Sequence, residues 1–134
     1  MIDRLSDTQL RRIAAALGLA TVAFGATPLA APAVFARFFG FPKPDASTAA
    51  MMRSLGVRDV VMGMGLWSAA AHSGNYAPWL LARLLTDGGD TLAVGIGAGA
   101  GHRNGRFLAL GALALGAAAG DALLWAAARR ARIL

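Results

Sequence analysis

The 134-residue sequence has no cysteine, no glutamate, a single lysine and two histidines. Without cysteine there is no disulfide framework, no thiolate metal site and no cysteine nucleophile. The histidines, His72 and His102, fall on opposite sides of an apolar stretch and cannot share a metal. We therefore expect neither a metal nor a cofactor. Charged residues make up only 15% of the chain, against about 25% in an average soluble domain. What charge there is comes from twelve arginines, Lys43 and seven aspartates, giving a net +6. Nucleic acid would suit so basic a chain only if its basic residues shared one solvated face. They do not, and nucleic-acid binding is not expected.

What the sequence has in quantity is apolar length. Hydrophobic residues account for 57% of the chain, and the mean hydropathy is +0.54. Runs of about 20 weakly charged apolar residues are the mark of bilayer-crossing helices. Four such spans occur, at 13–31, 52–71, 79–101 and 107–128, within a single domain covering residues 1–134. A soluble four-helix bundle would need a polar face on each helix, and the segment FLALGALALGAAAG has none. The expected fold is all-α, an integral membrane four-helix bundle. Ala31-Pro32-Ala33 resembles a signal-peptidase site, but Asp3 and Asp7 argue against a cleaved leader, so we read a retained first helix. Pro28 and Pro32 are expected to end or kink it. The run at 34–41 (VFARFFGF) suits the membrane interface better than its interior.

Basic residues set the expected orientation. Arg4, Arg11, Arg12, Arg129, Arg130 and Arg132 flank the termini, against Arg37, Lys43, Arg103 and Arg106 on the other side. This modest bias places both termini in the cytoplasm, with the cell inner membrane as the location. Trp67, Tyr76, Trp79 and Trp125 fall toward the termini side, and Phe35, Phe38, Phe39, Phe41 and Phe107 toward the other. Small residues are expected to carry helix packing in lipid. Gly95/Gly99, Gly97/Gly101 and Gly116/Gly120 have the four-residue spacing of close seams, and Gly56, Gly63 and Gly65 add to them. The run GIGAGAG is not a dinucleotide loop: counted from Gly95, the third glycine of G-x-G-x-x-G would be residue 100, an alanine, and no strand precedes it.

Six ionisable residues lie inside the spans: Arg58, Asp59, Arg83, Asp87, Asp90 and Asp121, with Arg53 at the mouth of the second. Each would cost about 2.5–3.5 kcal/mol or more at a lipid-facing helix centre. They are expected to face one another in a polar chamber between the second, third and fourth spans. At about 100° per residue, Asp87 falls about 40° and Asp90 about 20° from Arg83, so the three share a stripe with Val94. Arg83 and Asp87 can pair at i,i+4. Two arginines against four aspartates leave the spans at −2 and the flanks at +8. We expect at least one of the four acids, Asp90 or Asp121, to carry a proton. Ser68 and His72 stand at i,i+4, but with no orienting acid a polar helix terminus is the better reading. Met51, Met52, Met62 and Met64 are packing residues or part of an adaptable pocket.

The order Pro32, Phe35, Arg37 to Gly40, then Arg53, Gly56, Arg58, Asp59 and Gly63, then Asp87 with Asp90, resembles a family of small four-helix bacterial membrane proteins, a domain of unknown function. The resemblance covers most of the chain and implies the fold and membrane location, with no activity. A looser likeness in size and layout is to small membrane epoxide hydrolases of fungal polyketide pathways.

Three functions remain open at this point. The first is a cofactor-free acid/base enzyme acting on a lipophilic substrate by epoxide hydrolysis, isomerisation or cyclisation. Its Asp-Arg-Asp chemistry resembles that of soluble limonene-epoxide hydrolases, whose fold is unrelated. Arg58 would bridge Asp59 and Asp90, Asp87 or Asp121 would assist, and Arg53, Met62 and Arg83 would bind substrate. The second is a proton-coupled transporter or channel subunit. The third is a structural or accessory membrane subunit whose buried pairs fix helix register. The expected partners are the lipid bilayer and a lipophilic small molecule, with self-association left open.

Overall fold

Polar residues ahead of the apolar stretches start the helices earlier than hydropathy alone places them. In the computed structural model, which describes residues 6–72 and 74–130, the first helix, α1, runs Asp7–Ala30. Ser6 caps it: its hydroxyl accepts from the Gln9 amide at 3.3 Å, and the Gln9 side chain accepts from the Ser6 amide at 2.8 Å. This reciprocal box satisfies two otherwise orphaned groups. Pro28 does not end the helix. It lacks the N–H that would reach the Phe24 carbonyl, and the Thr27 hydroxyl donates to that carbonyl instead, at 2.7 Å.

The expected interfacial run folds as a short helix, α2 (Pro32–Phe38), with a proline in its first turn. It is followed by α3 (Ala46–Ala71), α4 (Ala77–Gly99) and α5 (Gly105–Arg130). Five helices, four of them long, replace the expected four, and there is no strand among the described residues. Two glycines stop helices by taking positive φ: Gly40 (94°) after α2 and Gly101 (102°) after α4. Each closes a Schellman pair, Phe41 N–H donating to Ala36 C=O and His102 N–H to Gly97 C=O, both at 3.0 Å.

Asp45 caps α3 by accepting from the Thr48 amide and hydroxyl, both at 2.7 Å. Those bonds hold its carboxyl below its ordinary value of 3.8. A carboxyl lowered on folding contributes stability that is fully present above its unfolded value and lost as pH falls through the folded one. The first turn of α3 is therefore expected to fray below pH 3.8, seen as faster amide exchange at Thr48. Asp45→Asn, which caps without titrating, should remove that pH dependence.

Helix α1 packs along α3, and α4 along α5, with far less contact between the two pairs. The α1–α3 seam is made by glycines spaced seven apart. A Cβ on Gly63 would stand 2.5 Å from the Gly18 carbonyl, and one on Gly56 would stand 2.6 Å from the Gly25 carbonyl. The glycines expected to form seams in α4 and α5 do not. Gly95, Gly99, Gly116 and Gly120 have open space around them, and Gly101 is a helix stop. The α4–α5 contact instead seats larger side chains on glycines, Phe107 over Gly97 and Val94 over Gly111.

At the termini end, Leu10, Ala14, Leu66, Ala70, Tyr76, Leu80, Leu124, Ala127 and Ala128 form one apolar cluster drawn from all four long helices. Arg11 stands over the Tyr76 ring at 5.3 Å, and burial pushes the Tyr76 phenol up from its ordinary value. At the other end Phe41, His102 and Phe107 stack together, and Phe24, Phe35, Phe39 and Phe38 form a second chain of rings. Asp3, Arg4, Ser73 and Arg132 lie outside the described residues. Helices α1 and α5 are long and apolar enough to cross a membrane; α3 and α4 match them in length but carry five of the six ionisable residues, Asp121 being on α5.

Candidate functional site

A guanidinium has donors on two edges, so one arginine can hold two carboxylates at fixed angles. Arg58 of α3 does this. Its two terminal nitrogens donate to the two oxygens of Asp90 on α4, at 2.9 and 2.7 Å. Its Nε donates to Asp59 Oδ1 at 3.0 Å. The bidentate pair ties α3 to α4, and so links the two helix pairs.

Arg83 of α4 forms a second, deeper set. Its Nε donates to Asp121 Oδ1 of α5 at 3.2 Å, and one terminal nitrogen donates to the Thr21 hydroxyl of α1. The other lies 3.6 Å from Asp87 Oδ2. The i,i+4 contact with Asp87 is thus the longest of the three, and the main partner is Asp121. Asp121 is fully buried and the Arg83 side chain only 6% exposed, whereas the Arg58 side chain is 28% exposed. Asp87 Oδ2 and Asp121 Oδ2 are buried without a hydrogen-bond partner. Both carboxyls face the Arg83 guanidinium, Asp121 through Oδ1 and Asp87 through Oδ2.

Both sets meet at one cavity of about 310 Å³. Arg58, Asp59, Arg83, Asp87 and Asp90 line it, together with Ala20, Thr21, Phe24, Leu110, Leu113, Ala114 and Ala117. Asp121 stands behind Arg83 and does not line it. Arg53 is exposed and Met62 half-buried, and neither belongs to the lining, so the expected substrate-binding set is reduced to Arg83. At about 100° per residue Arg53 falls about 140° from Arg58 around the helix, whereas Met62 falls only about 40° away but about 6 Å further along the axis. The cavity also takes in α1, which the expected three-helix chamber left out. Thr21 gave one signal in the sequence, as the lone polar side chain between Arg12 and Thr27. Its role as acceptor for Arg83 could not be read without the fold. Charge count pointed to Asp90 or Asp121 as the protonated acid; both Asp90 oxygens accept from Arg58, and Asp121 Oδ1 accepts from Arg83.

His72 Nδ1 contacts the Ser68 carbonyl at 3.0 Å rather than the hydroxyl, so the two form a helix end and no dyad. A second cavity of about 330 Å³, lined by Phe24, Thr27, Ala31, Val34, Phe35, Phe38 and Phe39, lies between α1 and α2.

A family model described as "Domain of unknown function (DUF4267)" matches residues 18–131. The chain belongs to the DUF4267 family. The matched segment takes in both cavities and every charged residue of the site. Comparison of this DUF4267 chain with curated proteins and with solved structures gave no match.

Proposed function

We propose that this DUF4267 chain is a multi-pass inner-membrane protein that performs cofactor-free acid/base chemistry on a lipophilic substrate. The observation that carries this reading is the first cavity, where an Asp-Arg-Asp wall faces Phe24, Leu110 and Leu113. Phe24 and Leu113 are 42% and 58% exposed, so the opening is apolar and faces sideways. Membrane location is supported by large apolar side chains exposed on all four long helices, such as Leu19, Val61, Leu92 and Leu115. An aqueous surface rarely carries so continuous an apolar patch. Arg11 and Arg12 with Arg129 and Arg130 lie at one end and support cytoplasmic termini.

In epoxide opening, Asp59 takes a proton from water through its Oδ2, which Arg58 leaves free. The water oxygen bonds to a ring carbon as the carbon–oxygen bond breaks. Asp87, in its acid form, passes its proton to the departing oxygen, giving a diol, and the proton on Asp59 returns to Asp87. Asp90 holds Arg58 in place. The same acid and base serve isomerisation or cyclisation when a substrate group replaces water. The apolar cluster around Tyr76 fills one end of the bundle, which disfavours a path through both faces and with it transport. Full burial of Asp121 against Arg83 favours a structural share for that pair.

The test is turnover of lipophilic epoxides by the purified protein in heavy-oxygen water. Wild type should place one heavy oxygen in each diol. Asp59→Asn and Asp87→Asn should slow turnover by about 10²–10⁴-fold, the usual worth of a general acid or base, with the thermal midpoint retained. Turnover that persists in both variants, or none across short- and long-chain epoxides, would overturn the proposal.

A further inference from the structure

Phe24 lines both cavities, and its ring is held edge-on against Phe35 at a centroid distance of 5.5 Å. The two compartments it separates differ in kind. One has five charged side chains. The other is walled by Val34, Phe35, Phe38 and Phe39, and its one hydroxyl, on Thr27, is spent on the Phe24 carbonyl. Each lies near the lower bound of ligand cavities, about 300–1,000 Å³, so together they suit one elongated molecule better than two separate ones. The charged compartment also selects its occupant. The donors of Arg58 and Arg83 already face Asp59, Asp90, Asp121, Thr21 and Asp87. With four carboxyls against two guanidiniums, an anionic head would meet repulsion and find no free cation.

Resting on the function proposed above, we infer that the substrate is a single-chain lipophile with a neutral oxygenated head. The head occupies the charged cavity and the tail occupies the α1–α2 groove, with Phe24 at the junction. A tail entering this groove leaves lipid and not water, so lengthening it adds little affinity. The groove acts on position: it fixes which carbon of the head faces Asp59 and Asp87.

The experiment is photolabelling of the wild-type protein in nanodiscs of zwitterionic lipid. The probes are a long-chain and a short-chain terminal epoxide, each with a diazirine at the far end of its chain, mapped by peptide mass spectrometry. The long probe should label residues 31–39 and the short one the cavity residues of α3 to α5. Unlabelled epoxide should displace both, and a fatty acid of matching length neither. Filling the groove by Val34→Trp should remove the label from residues 31–39 while the short probe still labels the cavity. Long-probe label on lipid-facing side chains such as Leu92, or equal labelling of 31–39 by a diazirine alkane without the epoxide, would overturn the tail assignment. Displacement by the fatty acid would overturn the neutral head. In those cases short-probe label in the cavity leaves the acid/base reading standing; if neither probe labels the cavity, both inferences fall.

Discussion

Replacing Arg83 with methionine is expected to lower stability in detergent by about 3–5 kcal/mol, the usual cost of removing one partner from a buried pair. Asp121 is fully buried and would lose the cation it faces. Thr21 would lose the donor on its hydroxyl, and Asp87 its nearest guanidinium. Coupling the change to Asp121→Leu should return most of the loss, because the apolar pair no longer has to be desolvated as ions. A double-mutant cycle followed by equilibrium unfolding separates these contributions. Arg58→Met should cost clearly less, since Arg58 and Asp90 border the cavity and are part-exposed. A smaller loss for Arg83→Met than for Arg58→Met would contradict the depth order assigned to the two sets.

The second large effect is steric. In Gly63→Val, the new Cβ meets the Gly18 carbonyl at 2.5 Å and the Val22 amide nitrogen at 2.7 Å. Both are backbone atoms and cannot swing aside, so α1 and α3 must separate along their length. The expected cost is at or above the upper end of the ~1–3 kcal/mol typical of overpacking. Gly116→Ala is the contrast. Nothing lies within 4 Å of a Cβ there, and an exposed helical glycine gives up about 1 kcal/mol relative to alanine. That substitution should therefore stabilise. Unfolding midpoints of the two variants should move in opposite directions, and movement in the same direction would count against the assigned seam.

The contrast between Gly63 and Gly116 also shows what the sequence could convey. Apolar length located the long helices, but it missed the first turns of α1 and α3 because Ser6 and Asp45 act through side-chain caps that hydropathy does not score. Charge inside apolar runs located Arg58, Asp59, Arg83, Asp87, Asp90 and Asp121, since it is conspicuous on any helix. Partners were harder. Spacing along one helix suggested Arg83 with Asp87, whereas the closer contact with Asp121 depends on how α5 sits against α4. The seam was misplaced for a related reason. Glycine density is highest in α4, but a seam requires two helices whose glycines fall at matching heights. Only Gly18 and Gly25 against Gly56 and Gly63 meet that condition among the described residues.

On the membrane location proposed above, the way the helices pair bears on how the chain enters a bilayer. The two helices long and apolar enough to cross it, α1 and α5, are each packed against a more highly charged one, α3 and α4 respectively. During synthesis α1 is in place before α3 emerges and can receive it at once. Helix α4 emerges before α5, with Arg83 lacking its Asp121 partner. Until α5 follows, α4 depends on Arg58 of α3 and Thr21 of α1 for shelter. In that topology the Arg58–Asp90 bridge that shapes the cavity also holds α4 to α3 before α5 arrives.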